Sequence, residues 1–419
     1  MVGGRERPGE PAGSSTHPAS VGSALADVLP NGGRICAPGE TVRRLRPHWA
    51  RLGITRLARQ TGLDRLGIPV FAAIRPNALT LAVNQGKGTD DDAASASALM
   101  EAAEYAIAEQ PDAPTFVAAP ADLLAAGERV FEPVRQMRAD LRWRTDAPIP
   151  WLTGRTLATG AAVFVPLEAA RLDHTERAFG DLQRSSNGLA SGNDEEEAIL
   201  HAVCELIERD AMTLHAYRSP DRAAALRIDP GRFAHPAVRD LTDRIEAAGF
   251  CVDLHDLTTT IGVPVIQAVL RDARLPARRQ LDLAGGIGCH PLASQAALRA
   301  LTEAAQTRIT NIAGARDDID PAEYGELLRA GLAPDPAAGA ASGAAPASLD
   351  VADGSPGALL AAVLARLAAA GVEEGIVARL GGAREGISVV KVFIPQLEDR
   401  PANPHWRPGP RWIAAMLSA

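Results

Sequence analysis

Apolar and polar positions follow a helical period over GETVRRLRPHWARLGI (39–54). Val42, Leu45, Trp49 and Leu52 share one face, and Gly53 ends the predicted helix. Short apolar runs follow, TRLARQT, IPVFAAIRP and ALTLAVN, and these predict strands. QGKGTDDD (85–92) breaks that pattern and starts a helix through about Glu109, closed by Pro111. Three aspartates in its first turn suit the helix dipole. A less regular stretch over 112–150 holds a short helix near ADLLAAGERV, and TGAAVFVPLEAARL (159–172) reads as a strand followed by a loop.

From Ser185 the chain reads SSNGLASGNDEEEAILHAVCELIERDA. Its second part is a helical run that is apolar nearly all round, yet Glu197, Glu205 and Glu208 interrupt it. Beyond it, PAVRDLTDRIEAAGF (236–250) is an amphipathic helix, and CVDLHDLTT and VPVIQAVLRD are strands. A long helix over 292–314 follows the glycine-rich LAGGIGCHP. A helix over 358–370 and the strand ISVVKVFIP lead into a Pro-rich tail at about 395–412. Strands and helices intermix without the strict alternation of a doubly wound sheet, so the expected class is α+β (mixed α/β).

Composition divides the chain into a Gly/Pro/Ser-rich tail, residues 1–35, expected to be disordered, and one catalytic domain, 36–419. Within that domain, 331–357 is an Ala/Gly/Pro low-complexity insert. With 419 residues, 46% of them hydrophobic, the chain can bury a sizeable core. A net charge of -8 and only 4% aromatic residues argue against nucleic-acid binding. The four cysteines form no CxxC pair, which excludes a local zinc-ribbon or thioredoxin motif. There is neither a secretory signal nor an apolar run of the ~18 residues needed to span a membrane. The expectation is a cytoplasmic protein without membrane partners.

Three helices carry polar residues three or four apart on one face: Ser97, Glu101 and Glu104; Glu197, His201, Glu205 and Glu208; and Arg299, Glu303 and Gln306. Neighbouring carboxylates at ~5 Å and an effective dielectric of ~20 repel by about 3 kcal/mol per pair. A hard cation with a nucleotide's phosphates would offset that. Solvated amphipathic faces, or neutralisation by Arg209 or Lys87 without a metal, remain open alternatives. The turns QGKG (85–88) and SSNGLASGN (185–193) lead into helix N-termini and could cradle phosphate, although plain tight turns would read the same way. The chain has no GxxxxGK[ST] and is not a P-loop protein. His201 reads as a core histidine, and His290 beside Cys289 gives only superficial support for a Cys–His nucleophile.

RLGITRLARQTGLDRLGIPVFAAIRPN, NQGKGTDDDAASASALMEAAE, SSNGLASGNDEEEAILHAVCELIERDA and LTEAAQTRITNIAGARDD resemble the YcaO-domain family, from roughly Pro38 to Trp412. The resemblance implies an ATP-binding fold of mixed sheets and packed helices without a Walker motif, and ATP and Mg2+ as cofactors. It implies metal ligation by Glu101, Glu104, Glu205 and Glu208, and nucleotide contacts by Lys87, Ser97, Asn193, Glu197, Arg209, Glu303, Gln306 and Arg308. Glu205, Glu208 and Arg209 take the catalytic roles, and Arg316 is a further candidate.

The activity so implied is phosphorylation of a peptide backbone amide oxygen, which a nucleophile then displaces as phosphate. The nucleophile decides the product: an azoline, a thioamide or an amidine. Azoline-forming members tend to end in a Pro-x-Pro-x-Pro tail that reaches the active site. Here FIPQLEDRPANPHWRPGPR resembles instead the branch associated with TfuA partner proteins and thioamidation, with Gln396 where glycine is usual. The partners so implied are a precursor peptide or protein and a TfuA-like protein. A sulfur donor and a homodimeric state stay open. An azoline-forming cyclodehydratase and a non-catalytic leader-peptide-binding scaffold are the alternative readings.

Overall fold

The computed structural model describes residues 28–143, 146–175, 182–216, 220–275, 278–279, 282–316, 318–319, 322, 341 and 343–418. Their strands form three sheets. β1 (Arg56–Arg59), β2 (Val70–Ile74) and β3 (Val83–Lys87) make the first. The second runs in the order β11 (Leu283–Cys289), β10 (Val265–Asp272), β9 (Phe250–Asp256), β8 (Arg227–Ile228). The third runs β4 (Thr115–Ala118), β5 (Ile149–Thr156), β12 (Ile376–Gly381), β13 (Ser388–Phe393), β7 (Leu189–Gly192), with β6 (Ala162–Pro166) also on β5. Every pairing of these strands is antiparallel, so the expected mixed sheets are antiparallel ones within an α+β fold.

The helices are α1 (Pro38–Leu45), α2 (Asp91–Glu109), α3 (Pro120–Ala125), α4 (Leu167–Ala170), α5 (Glu195–His215), α6 (Pro220–Ala225), α7 (Ala237–Ala247), α8 (Ala293–Ala313), α9 (Pro356–Ala369) and α10 (Pro410–Leu417). Asp90 caps α2 by accepting from the Ala93 N–H at 2.8 Å, and Asp194 caps α5 through the Glu197 N–H at 2.8 Å. Gly314 closes α8 with a left-handed φ of 55°. The single helix expected over 39–54 stops at Leu45, because Pro47 supplies no N–H to continue it.

The central strands of the third sheet, β12 and β13, are buried on both faces. Along β12 and β13, Ile376, Ala378, Leu380 and Val389 face the core under α2, while Val377, Val390 and Val392 face the core under α5 and α9. Side chains buried this fully stabilise by about 1.5–3 kcal/mol each. A third core joins α7 and α8 to the second sheet. No helix among the described residues is long and apolar enough to cross a membrane.

Three strand–helix units recur: β3 with α2, β7 with α5, and β11 with α8. In each, a strand glycine lies against the backbone of the following helix. A Cβ on Gly86 would sit 2.0 Å from the Ala98 nitrogen, one on Gly192 2.4 Å from the Ala198 nitrogen, and one on Gly286 2.2 Å from the Ala300 oxygen. These glycines therefore set helix-to-strand distance. The expected turns at QGKG and SSNGLASGN are corrected accordingly. Gln85–Lys87 belongs to β3, and Leu189–Gly192 is β7.

Most of the tail expected over 1–35 lies outside the described residues, as do 331–340 and 342 of the 331–357 insert. The segment 28–35 is packed: Leu29 is buried in the α5 core and Arg34 pairs with Glu197. Gln396, at the position where the resemblance led us to expect glycine, accepts from the N–H groups of Glu373 and Glu374 at 3.0 Å and donates to the Gly371 carbonyl at 3.1 Å. It clamps the turn after α9.

Candidate functional site

The three strand–helix units turn the polar stripes of α2, α5 and α8 toward one cavity of about 620 Å³. Ser97, Glu101 and Glu104 line it from α2, Glu205, Glu208 and Arg209 from α5, and Glu303 and Gln306 from α8. Lys87 enters from the end of β3, Asn193 from the start of α5, and Arg316 from beyond α8. The spacing that put eight of these groups on single helix faces, with Lys87, Asn193 and Arg316 from the flanking segments, thus brings eleven of the expected residues to one cavity.

Two expected residues stand elsewhere. Arg308 follows Glu303 by five residues, which rotates it to the far side of α8. There its Nε lies 3.3 Å from an Asp64 carboxylate oxygen, and its guanidinium sits 4.7 Å from the Phe250 ring centre. This removes it from the cavity wall. Glu197 lies behind the wall: Arg34 Nη1 reaches it at 2.6 Å and Asn193 Nδ2 at 3.0 Å. Asn193 in turn accepts from the Thr41 hydroxyl at 2.9 Å, so Glu197 fixes Asn193 and the 28–35 segment together.

The charges in the cavity are unevenly compensated. Lys87 Nζ donates to Glu303 at 2.8 Å, and Arg209 Nη1 to Glu208 at 2.8 Å, with Glu205 3.6 Å from Nη2. Glu104 accepts from the Ser191 hydroxyl at 3.0 Å. Among the described residues, neither Glu101 nor Glu104 has an ion pair, and Glu101 Oε2 and Gln306 Oε1 are buried oxygens without a donor.

Protonation follows from this. Burial lifts Glu101 to about 7 and Glu208 to about 8, against the pull of Arg316 and Arg209 respectively. Burial, with the charges of Glu205 and Glu101 added, carries Glu104 well above the usual carboxylate range. Burial also raises Glu205. Glu303 goes the other way: Lys87 outweighs its burial and holds it low. Burial drives His201 and His290 well below the usual imidazole range, so both are neutral; His201 lines the cavity and His290 does not.

Three groups escaped the sequence reading. Lys391, on β13, is fully buried, donates to the Ser185 carbonyl, and is brought down to about 8 by burial, against the pull of Glu205 and Glu104. Its only signal was a lysine amid valines in SVVKVF. Arg34 came from a segment expected to be loose. Cys204 and Cys289 lie side by side on the cavity wall, where burial raises the Cys289 thiol well above its usual range.

The donor set suits a hard cation. All its acids are oxygen ligands, two lack a counter-charge, and a buried acceptor is left open. No three such side chains among the described residues converge on one point. Mg2+ takes a few carboxylates and completes its shell with phosphate oxygens and water, so such a set can serve it without three protein ligands already converged.

A family model described as YcaO cyclodehydratase, ATP- and Mg2+-binding, matches residues 85–398. A Rhizobium leguminosarum bv. trifolii protein described as lying in the tfuA 3' region is 45% identical over 307 residues, 71% of either chain. An uncharacterised protein of Methanothermobacter thermautotrophicus is 36% identical over 301 residues, 70% of this chain and 75% of its own. Among solved structures, YcaO from Methanopyrus kandleri bound with AMPPCP and Mg2+ superposes with a TM-score of 0.66 at 24% identity, over 89% of this chain and 95% of that one. A heterocyclase in complex with substrate and cofactor gives 0.69 at 22% identity over 87% of this chain, which spans only 53% of the heterocyclase. At these identities the two structures show a shared fold.

Proposed function

This chain belongs to the YcaO family, and from that premise we propose that it uses Mg2+ and ATP to phosphorylate a backbone amide oxygen of a ribosomally made peptide or protein, for thioamide formation with a TfuA-like partner. The observation that carries the reading is the set of under-compensated carboxylates facing a single cavity. A cavity of about 620 Å³ has room for a nucleotide.

In this reading Glu101, Glu104, Glu205 and Glu208 hold Mg2+, which when bound neutralises phosphate charge and relieves the repulsion among them. Lys87 and Arg209, now engaged by Glu303 and Glu208, turn part of their charge to the phosphates. Ser97, Asn193 and Gln306 add polar contacts, and Glu303 and Glu197 keep Lys87 and Asn193 aimed. Catalysis here is positioning and charge stabilisation. Arg308 has no part in it.

The C-terminal tail favours sulfur insertion over azoline formation. Gly409 donates to Glu398 at 3.1 Å and Arg411 pairs with Asp210, and no residue from 395 to 418 lines the cavity. Kinship to the protein of the tfuA 3' region supports the same branch. The retained acids argue against a non-catalytic scaffold.

Calorimetry of ATP binding with and without Mg2+, on wild type and Glu205→Ala, tests the nucleotide site. Mg2+-dependent binding should be lost in the variant; a folded wild type that binds no ATP, alone or with its partner, overturns the reading. With the partner and sulfide, the product peptide should exchange oxygen for sulfur by mass spectrometry. Loss of water instead would establish the azoline alternative.

A further inference from the structure

A second, smaller pocket of about 80 Å³ opens on the other side of the segment Ser185–Asn187. Ser186 lines the large cavity, while Ser185 and Asn187 line the small pocket, so the two share a wall three residues long. Lys391 braces that wall through the Ser185 carbonyl.

The sides of the small pocket are apolar. Phe131 and Phe393, with ring centres 4.5 Å apart, stand with Ile394 and Leu397 along it. Its polar atoms are unbalanced. Gln136 Oε1, Asn187 Oδ1 and Asp399 Oδ1 are buried without a donor, and every orphaned buried side-chain atom of the pocket is an oxygen. Several lining donors are engaged: Ser185 donates to the Ala402 carbonyl, Asn403 to the Arg135 carbonyl, Gln136 to the Ala169 carbonyl, and Arg135 to Glu398. Three open acceptors, one of them a carboxylate oxygen, incur a desolvation cost that a donor-rich guest removes. A long cationic side chain meets both demands, because its methylene stem lies on apolar walls while its head donates several hydrogen bonds.

We propose that this pocket binds a lysine or arginine side chain of the peptide substrate and so positions a neighbouring backbone amide beside the nucleotide cavity. The proposal rests on the peptide-modifying reading above and adds a sequence preference to it. The shared wall sets the pocket beside the nucleotide cavity, and the pocket's size restricts it to one side chain.

The test uses N-acetyl amino-acid N-methylamides of lysine, arginine, norleucine and glutamate, titrated into methyl-labelled full-length protein and followed by NMR. The lysine or arginine compound should shift the methyls of Ile394, Leu397 and Val134 saturably. Norleucine, which keeps the stem and lacks the charge, should bind at least tenfold more weakly, and glutamate should not bind. Asp399→Asn should abolish the preference for the cation, and Gln136→Leu carries the same test should that variant fail to fold. Equal binding of norleucine, shifts confined to other methyls, or an unaltered preference in the variants would overturn the proposal. So would shifts that grow with protein concentration alone, which would assign the pocket to a second copy. Mg2+-dependent ATP affinity, measured on the same samples, reports separately on the proposed function and should stay within twofold in both variants.

Discussion

The same helices carry two kinds of buried acid. Near the end of α2, Glu109 accepts from Arg75 through both its carboxylate oxygens and from the Thr80 hydroxyl at 2.5 Å. One to two turns earlier, neither Glu101 nor Glu104 has an ion pair among the described residues. On α5, Asp210 receives Arg411 at 2.9 and 2.7 Å and the Glu398 N–H at 3.1 Å. Glu205 and Glu208, five and two residues before it, share the guanidinium of Arg209. All are carboxylates; Glu109, Asp210, Glu104 and Glu208 are buried, and Glu101 and Glu205 are half-buried. Compensation differs: the first group is fully paired and belongs to the scaffold, while in the reading proposed above the second takes its charge from a bound cation.

Removing a partner should therefore cost stability in one group and ligand binding in the other. The largest expected effect is that of Asp210→Ala, which strands Arg411 and should lower unfolding free energy by about 3–5 kcal/mol in denaturant titrations. Its folded fraction should still bind nucleotide. Glu104→Gln imitates the protonated acid that burial already favours. Its stability should stay within about 0.5 kcal/mol of wild type, while Mg2+-dependent ATP affinity falls at least about tenfold, or about 1.4 kcal/mol. A large loss of stability in Glu104→Gln would erase the distinction.

The pH dependence sharpens it. Glu101 and Glu208 hold their protons more tightly folded than unfolded, so their contribution is complete below about pH 4.5 and is lost as pH rises through about 7 and 8. The ligand-free protein should melt at progressively lower temperature across that window, and saturating Mg2+ and ATP should flatten the trend. Mg2+ loading near pH 7 should release protons, measurable by calorimetry in buffers of different ionisation enthalpy. Smallest of all, Arg308→Ala should change ATP affinity by less than about twofold, because its guanidinium faces Asp64 and Phe250.

Much of the site was legible because its signal is local. Ser97, Glu101 and Glu104, or Glu205 and Glu208, share a helix face wherever that helix lies. The same logic could not see Lys391, since one lysine in an apolar strand carries no periodic signal. It also misread QGKG and the LASG of SSNGLASGN as turns, where Gly86 and Gly192 lie in strands and make room for a helix backbone. Arg308 was placed by resemblance, and a five-residue step along α8 turns it away.

The sequence by itself determined the acidic faces of α2, α5 and α8 and the α+β class, because period, caps and spacing depend on neighbours within a turn or two. Only the tertiary structure decided which acids are compensated. Arg411 lies 201 residues from Asp210, and Lys87 lies 216 from Glu303. Whether a buried carboxylate is part of the scaffold or a site for a cation depends on such distant charges, which the fold alone brings within reach.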